Sequence, residues 1–245
     1  MKNVLILGAS SGIARQFERI VCADSRLVLA GNDPDVMAKI ATDLEVRSDG
    51  RRPSIFEFDS ANIAGHAAFV QQVVAEVKHI DEVYLFFGVM FDEIECHRKP
   101  ELAAKMGLVN YIGAMSILEH LANHMEANKA GLIVGVSSVA GDRGRASNYL
   151  YGSTKAGLSA YLSGLRARLA AHGVHVCTIK PGFVDTPMTA HLKKGGLTSS
   201  AEKVARGVVQ AARKRKNTAY VPGFWWMVMM VIIHLPEFIF KKVKF

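Results

Sequence analysis

Val4-Leu5-Ile6-Leu7-Gly8-Ala9-Ser10-Ser11-Gly12-Ile13-Ala14 stands close to the start of the chain. Four consecutive apolar residues suit a strand buried on both faces, whereas a half-buried strand would alternate. The run ends at once in a loop with glycines at positions 8 and 12, and Ile13 opens a stretch of helical period. A strand that turns tightly through glycine into a helix brings backbone N–H groups to the helix's positive end, where a pyrophosphate can sit. Two glycines in a loop are common; the strand before and the helix after make this a dinucleotide signature. Gly8, Ser10, Ser11, Gly12 and Ile13 are the residues it offers to the ligand.

Outward from that loop the same alternation repeats. Short runs rich in Val, Ile and Leu at 4–7, 27–30, 54–58, 83–87, 132–137, 174–179 and 218–221 predict strands, and 13–21, 35–44, 63–77, 101–124, 149–172 and 200–215 predict helices. Strand and helix in strict alternation predict an α/β fold: a Rossmann-like, doubly wound, parallel seven-stranded sheet with helices on both faces. Its ligand cleft would lie at the carboxyl ends of the strands. Residues 1–222 are read as one Rossmann-type domain with a lid at 186–200, and 223–245 as an apolar and basic tail. No internal repeat, low-complexity segment or linker interrupts it.

The end of the second strand should meet the adenosine ribose, where an acid favours NAD and a base the 2′-phosphate of NADP. This chain has Gly31-Asn32-Asp33 there. Gly31 leaves room for a phosphate and Arg15 could approach it, while Asp33 pulls the other way; the balance tilts slightly to NADP(H) over NAD(H). Asp59 could accept a bond from the adenine amino group, or serve as an acid near a helix N-terminus.

Tyr151-Gly-Ser-Thr-Lys155 carries the chemistry. Four residues apart on a helix, phenol and ammonium share a face, and a neighbouring cation stabilises a phenolate. Such a pair can give a proton to an oxygen that becomes an alkoxide on accepting hydride, or remove it in the reverse direction. Ser138, just beyond the fifth strand, would face the cleft and hold the substrate oxygen, with Ser137 turned away. Asn110, inside the long fourth helix, could hold a carbonyl or a water behind Lys155. Singly, these are a packing aromatic, a solvated lysine, a cap and a polar break; together, in order and in the right elements, they point to catalysis.

On these residues the sequence resembles the short-chain dehydrogenase/reductase family, from Met1 to about Pro187. The resemblance implies Asn110, Ser138, Tyr151 and Lys155 as a catalytic tetrad. It also implies a nicotinamide-contacting segment at Pro181, Gly182, Val184 and Thr186, with Gly88 at the end of the fourth strand. Two departures stand out: Ala14 replaces a third glycine, and Leu85-Phe86-Phe87-Gly88 replaces the usual Asn-Asn-Ala-Gly. A narrower likeness, over 151–245, is to the decaprenylphosphoryl-2-keto-ribose reductase branch. It rests on Tyr151 to Leu158, Thr186 with Met188, Ala190-His191-Leu192-Lys193, Met229-Met230-Val231 before Pro236, and Ile239-Phe240-Lys241. It implies a keto-sugar on a polyprenyl phosphate and a flavin oxidase partner.

Of 245 residues, 50% are hydrophobic and 21% charged, enough apolar material for a large core. The net charge of +8 is concentrated at the end: residues 213–245 hold seven bases and one acid. Mixed with Phe224-Trp225-Trp226 and the apolar run to Leu235, that charge suits an anionic membrane surface rather than nucleic acid. The largely apolar stretch 224–235, twelve residues long, falls short of the roughly 20 that span a bilayer. Peripheral membrane contact through 223–245 competes with packing on a sister subunit in a dimer or tetramer. His191, Lys193 and Lys194 in the lid could meet a phosphate. Cys22, Cys96 and Cys177 form no CxxC pair, the nine histidines no HExxH, so neither disulfides nor a metal is expected. The first apolar run is too short for a signal-peptide core, so the expected location is cytoplasmic, at most at the inner face of the membrane. Against the oxidoreductase stand a dinucleotide-binding regulator and a membrane scaffold, neither of which needs Ser138, Tyr151 and Lys155 together.

Overall fold

The N-terminal apolar run forms β1 (Lys2–Leu7). Side chains alternate across a strand, so Val4 and Ile6 enter one core while Leu5 and Leu7 enter the other. In this computed structural model, which describes residues 1–190 and 195–242, the chain continues through α1 (Gly12–Val21), β2 (Ser25–Gly31), α2 (Pro34–Arg47), β3 (Ser54–Glu57), α3 (His66–Val77) and β4 (Glu82–Leu85). Next come α4 (Glu93–Arg98), α5 (Pro100–Gly107), a π-helical turn (Leu108–Gly113), α6 (Ala114–Asn128), β5 (Gly131–Val136), α7 (Tyr149–Leu169) and β6 (Val174–Pro181). The last part holds the short strands β7 (Val184–Asp185) and β8 (Ser199–Ser200), then α8 (Ala201–Arg213), β9 (Thr218–Val221), α9 (Trp225–His234) and α10 (Glu237–Phe240).

The main sheet has seven strands in the order β3-β2-β1-β4-β5-β6-β9, every neighbour parallel. Two cores flank it. One is built on α1, α2 and α8, with Phe17, Met37, Leu44 and Val208; the other on α3, α6 and α7, with Phe69, Val73, Leu118, Leu121 and Leu162. The doubly wound seven-stranded sheet read from the sequence is the one observed.

The helix expected over 101–124 is corrected. Pro100 opens α5, and one extra residue per turn is wound in at 108–113 before α6 runs on to Asn128. Hydrophobic periodicity averages over such an insertion, and π-turns of this kind cluster at functional sites. Val184-Asp185, just before the lid expected over 186–200, pair in parallel with Ser199-Ser200 at its end. His191, Lys193 and Lys194 lie outside the described residues. No described helix is long and apolar enough to cross a membrane.

Candidate active site

The strand order reverses between β1 and β4, and a crevice opens there at the carboxyl ends of the strands. It is a cavity of about 660 Å³. The loop after β1 supplies Gly8, Ser10, Ser11, Gly12 and Ile13; the end of β2 and the segments after β2 and β3 supply Gly31, Asn32 and Asp59; the turn after β4 supplies Gly88. Ser138, Tyr151 and Lys155 form another wall, and Pro181, Gly182, Val184 and Thr186 close the side beyond β6.

Gly8 has φ +83°, and a Cβ there would stand 2.5 Å from the backbone nitrogen of Phe87. Only glycine lets the first loop cross the end of β4 so closely. The Phe-Phe departure is accommodated by splitting the two rings. Phe86 goes to the α1 side, 5.3 Å from Phe17, and Phe87 to the other, 5.7 Å from Phe58, where it also lines the cleft. Ala14 is buried in the α1 core.

Ser138 caps a 3₁₀ turn (Val139–Gly141), its Oγ accepting the Ala140 N–H at 3.1 Å, and lines the cleft together with Tyr151. A Cβ on Gly141 would lie 2.7 Å from backbone atoms of Lys155 and Ala156, so this turn packs directly on α7. That contact fixes Ser138 against Tyr151. Ser137 faces away, donating to the Lys155 carbonyl at 2.9 Å and lying 2.7 Å from the Ser159 hydroxyl. Lys155 Nζ donates to the Val136 carbonyl at 3.2 Å and sits 5.8 Å from the centre of the Tyr151 ring. Asn110, fully buried in the π-turn, is gripped from both ends: Oδ1 accepts the Val89 N–H at 2.7 Å and Nδ2 donates to the Val89 carbonyl at 2.8 Å. Its carboxamide lies beside Gly88, where a Cβ would meet Asn110 Oδ1 at 3.2 Å and Lys155 Nζ at 3.4 Å.

Burial governs the electrostatics. It pushes the Tyr151 phenol up to about 12, against the opposing influence of the Ser138 hydroxyl, and the Lys155 ammonium down to about 8. Tyr151 is therefore a protonated phenol at neutral pH. At the ribose end, Asp33 is engaged as the N-cap of α2, accepting the Val36 N–H at 3.0 Å. Asp59 accepts the Ala61 N–H at 2.8 Å. Arg15 does not line the cleft; it lies in the groove between α1 and α2 with Glu18, Lys39 and Asp43. The reason is helical phase: Arg15 sits next to Ala14, and with Ala14 in the core its own side chain is carried out to the surface. Nothing in the sequence singles out Lys105, which lines the cleft from α5. It lies five residues before Asn110, a spacing that carries no motif.

The family model for short chain dehydrogenases matches residues 2–196. An uncharacterized oxidoreductase of Mycobacterium tuberculosis is 32% identical over 239 residues, covering 98% of this chain and 96% of its own. The chain belongs to the short-chain dehydrogenase/reductase family. Solved structures carry the same fold. A short-chain dehydrogenase/reductase from Mycobacterium ulcerans superposes with a TM-score of 0.81 at 21% identity, covering 99% of this chain and 98% of that one. A gluconate 5-dehydrogenase from Burkholderia cenocepacia, solved with NADP and tartrate, gives 0.82 at 21% identity, covering 92% and 95%. As a short-chain dehydrogenase/reductase, the protein is an oxidoreductase.

Proposed function

We propose that the protein reduces a ketone to a secondary alcohol with hydride from NADP(H), Ser138, Tyr151, Lys155 and Asn110 forming the catalytic group. The observation that carries this is the meeting of Ser138, Tyr151 and Lys155 on one wall of the crevice. The crevice fits a dinucleotide: the loop at Gly8 leads into the N-terminus of α1, which favours a pyrophosphate. Asp33, the acid that follows β2, is spent on capping α2 and does not line the cleft, and this supports NADP(H) over NAD(H). The gluconate 5-dehydrogenase with NADP adds to that support.

A nicotinamide held in this crevice would supply the hydride. Ser138 Oγ holds the substrate carbonyl oxygen, and Tyr151 delivers its phenolic proton to that oxygen as charge builds on it. Lys155, held by the Val136 carbonyl, stabilises the phenolate left behind. Asn110 fixes the Val89 backbone beside Lys155 and so keeps the lysine's surroundings in place.

For the substrate, we favour a keto-sugar carried on a polyprenyl phosphate. Apolar Phe183 and Met188 stand partly exposed beyond β6, and α9 turns Trp226, 54% exposed, Met227 and Val231 to solvent, followed by Lys241 and Lys242. An apolar face edged by lysines suits an anionic lipid surface. The reading extends to a dimer or tetramer at the inner face of the membrane, with a flavin oxidase as partner. Tyr151→Phe tests the chemistry: ketone turnover should fall by roughly 10²–10⁴-fold while NADPH still binds. Unchanged turnover would remove Tyr151 from the mechanism.

A further inference from the structure

The C-terminal helices are built into the wall behind the active site. α9 turns Trp225, Met229 and Ile232, none more than 6% exposed, against Val139, the residue after Ser138. The Trp225 indole lies on Gly182, where a Cβ would stand 1.8 Å from Nε1, and its ring meets Phe183 at 5.6 Å. One aromatic side chain thus backs both the serine turn and the loop after β6.

The turn reaches back to the helices through Arg143, two residues past Gly141. Its Nη1 donates to the carbonyls of Ile232 at 2.7 Å, Ile233 at 3.2 Å and Leu235 at 2.6 Å. Nη2 pairs with Glu237 at 2.9 Å, and the guanidinium lies 3.7 Å from the centre of the Phe240 ring. The last carbonyls of a helix lack intrahelical partners and carry the negative end of its dipole, so a cation satisfies them on both counts. Beside it Asp142, its side chain 4% exposed, accepts from Lys180 Nζ and from the Tyr220 hydroxyl, the latter at 2.9 Å. Lys180 immediately precedes Pro181-Gly182, and Tyr220 lies on β9 opposite it. Residues 142 and 143 therefore tie the serine turn to the sheet on one side and to the C-terminal helices on the other.

We propose that Arg143 and Asp142 are positioning residues for the oxidoreductase reaction, holding Ser138 in place by clamping its turn between β6–β9 and the α9–α10 segment. The role rests on Ser138 acting at the substrate oxygen, as argued above. Neither residue lines the cleft; both act through the turn.

The test uses the full chain with Arg143→Met, and Arg143→Lys as the variant that keeps a charge. Amide hydrogen exchange at Ala140 and Gly141 is read first, because both N–H groups bond Ser138, at 3.1 Å each. In Arg143→Met their exchange should quicken about tenfold while exchange in β1 stays as in the parent. NADPH affinity should hold within about twofold and kcat for a lipid-phosphate keto-pentose should drop about tenfold, with KM little changed and Arg143→Lys recovering part of the loss. Unaltered exchange at Ala140 and Gly141, or exchange quickened equally throughout the sheet, would overturn the proposal. Exchange needs no substrate, so a parent protein that turns over no ketone would count against the function and leave this readout intact.

Discussion

Tyr151 and Lys155 share one face of α7, and burial moves both away from their charged forms. The consequence is a pH profile. Lys155, brought down from 10.5 to about 8, keeps its charge below that value and loses it as pH rises through it; Tyr151, up at about 12, remains a phenol across the same range. Ketone reduction should therefore be flat below about pH 8 and fall by up to about tenfold per unit above it. A rate that climbs through pH 8 to 10 would mean that the phenolate drives turnover, in the oxidative direction. At this scale the sequence was informative where chemistry repeats at short range. Tyr151, Lys155 and Ser138 lie within eighteen positions and could be read from spacing alone. Asp142 and Arg143 lie in the same stretch, yet their partners Lys180, Tyr220 and Glu237 are 38 to 94 positions away, and no local pattern announces them.

α1 shows both what periodicity reveals and what residue type hides. Its strand-loop-helix setting was legible, and Ala14 and Phe17 face the core as the helical period requires. Glu18 shares that face, fully buried, with neither carboxylate oxygen bonded among the described residues. A glutamate reads as a surface residue, so the sequence alone places it wrongly. Burial raises its pKa to about 8, against the lowering influence of Arg15 and Arg19. The native state then holds a proton that the unfolded chain releases near 4.5, so stability from this group is greatest below pH 4.5 and declines as pH rises toward 8. Glu18→Gln should flatten that decline, which is at most on the order of 1.4 kcal/mol per pH unit, in denaturant melts at pH 5 to 8. Parent and variant with equal slopes would show Glu18 ionised in the fold. The π-turn at 108–113 was hidden for another reason: a single inserted residue leaves the apolar period on either side intact.

At the scale of the whole molecule, the parallel order β3-β2-β1-β4-β5-β6-β9 follows from strand-helix alternation and right-handed crossovers, both readable from the apolar runs. The C-terminal segment was less legible. α9 is apolar all round, a pattern compatible with a lipid surface, a subunit contact or the protein's own body; the structure turns Trp225, Met229 and Ile232 inward and leaves Trp226, Met227 and Val231 outward. Those elements surround the crevice in which dinucleotide and ketone are proposed to meet. NADPH and NADH titrated into the purified protein, followed by a lipid-phosphate keto-pentose with absorbance read at the nicotinamide band, put that proposal to the test. Both steps should succeed, with NADPH bound more tightly and oxidised one-for-one with alcohol formed; tight dinucleotide binding with no oxidation, by this ketone or by a panel of others, would overturn the proposed reductase.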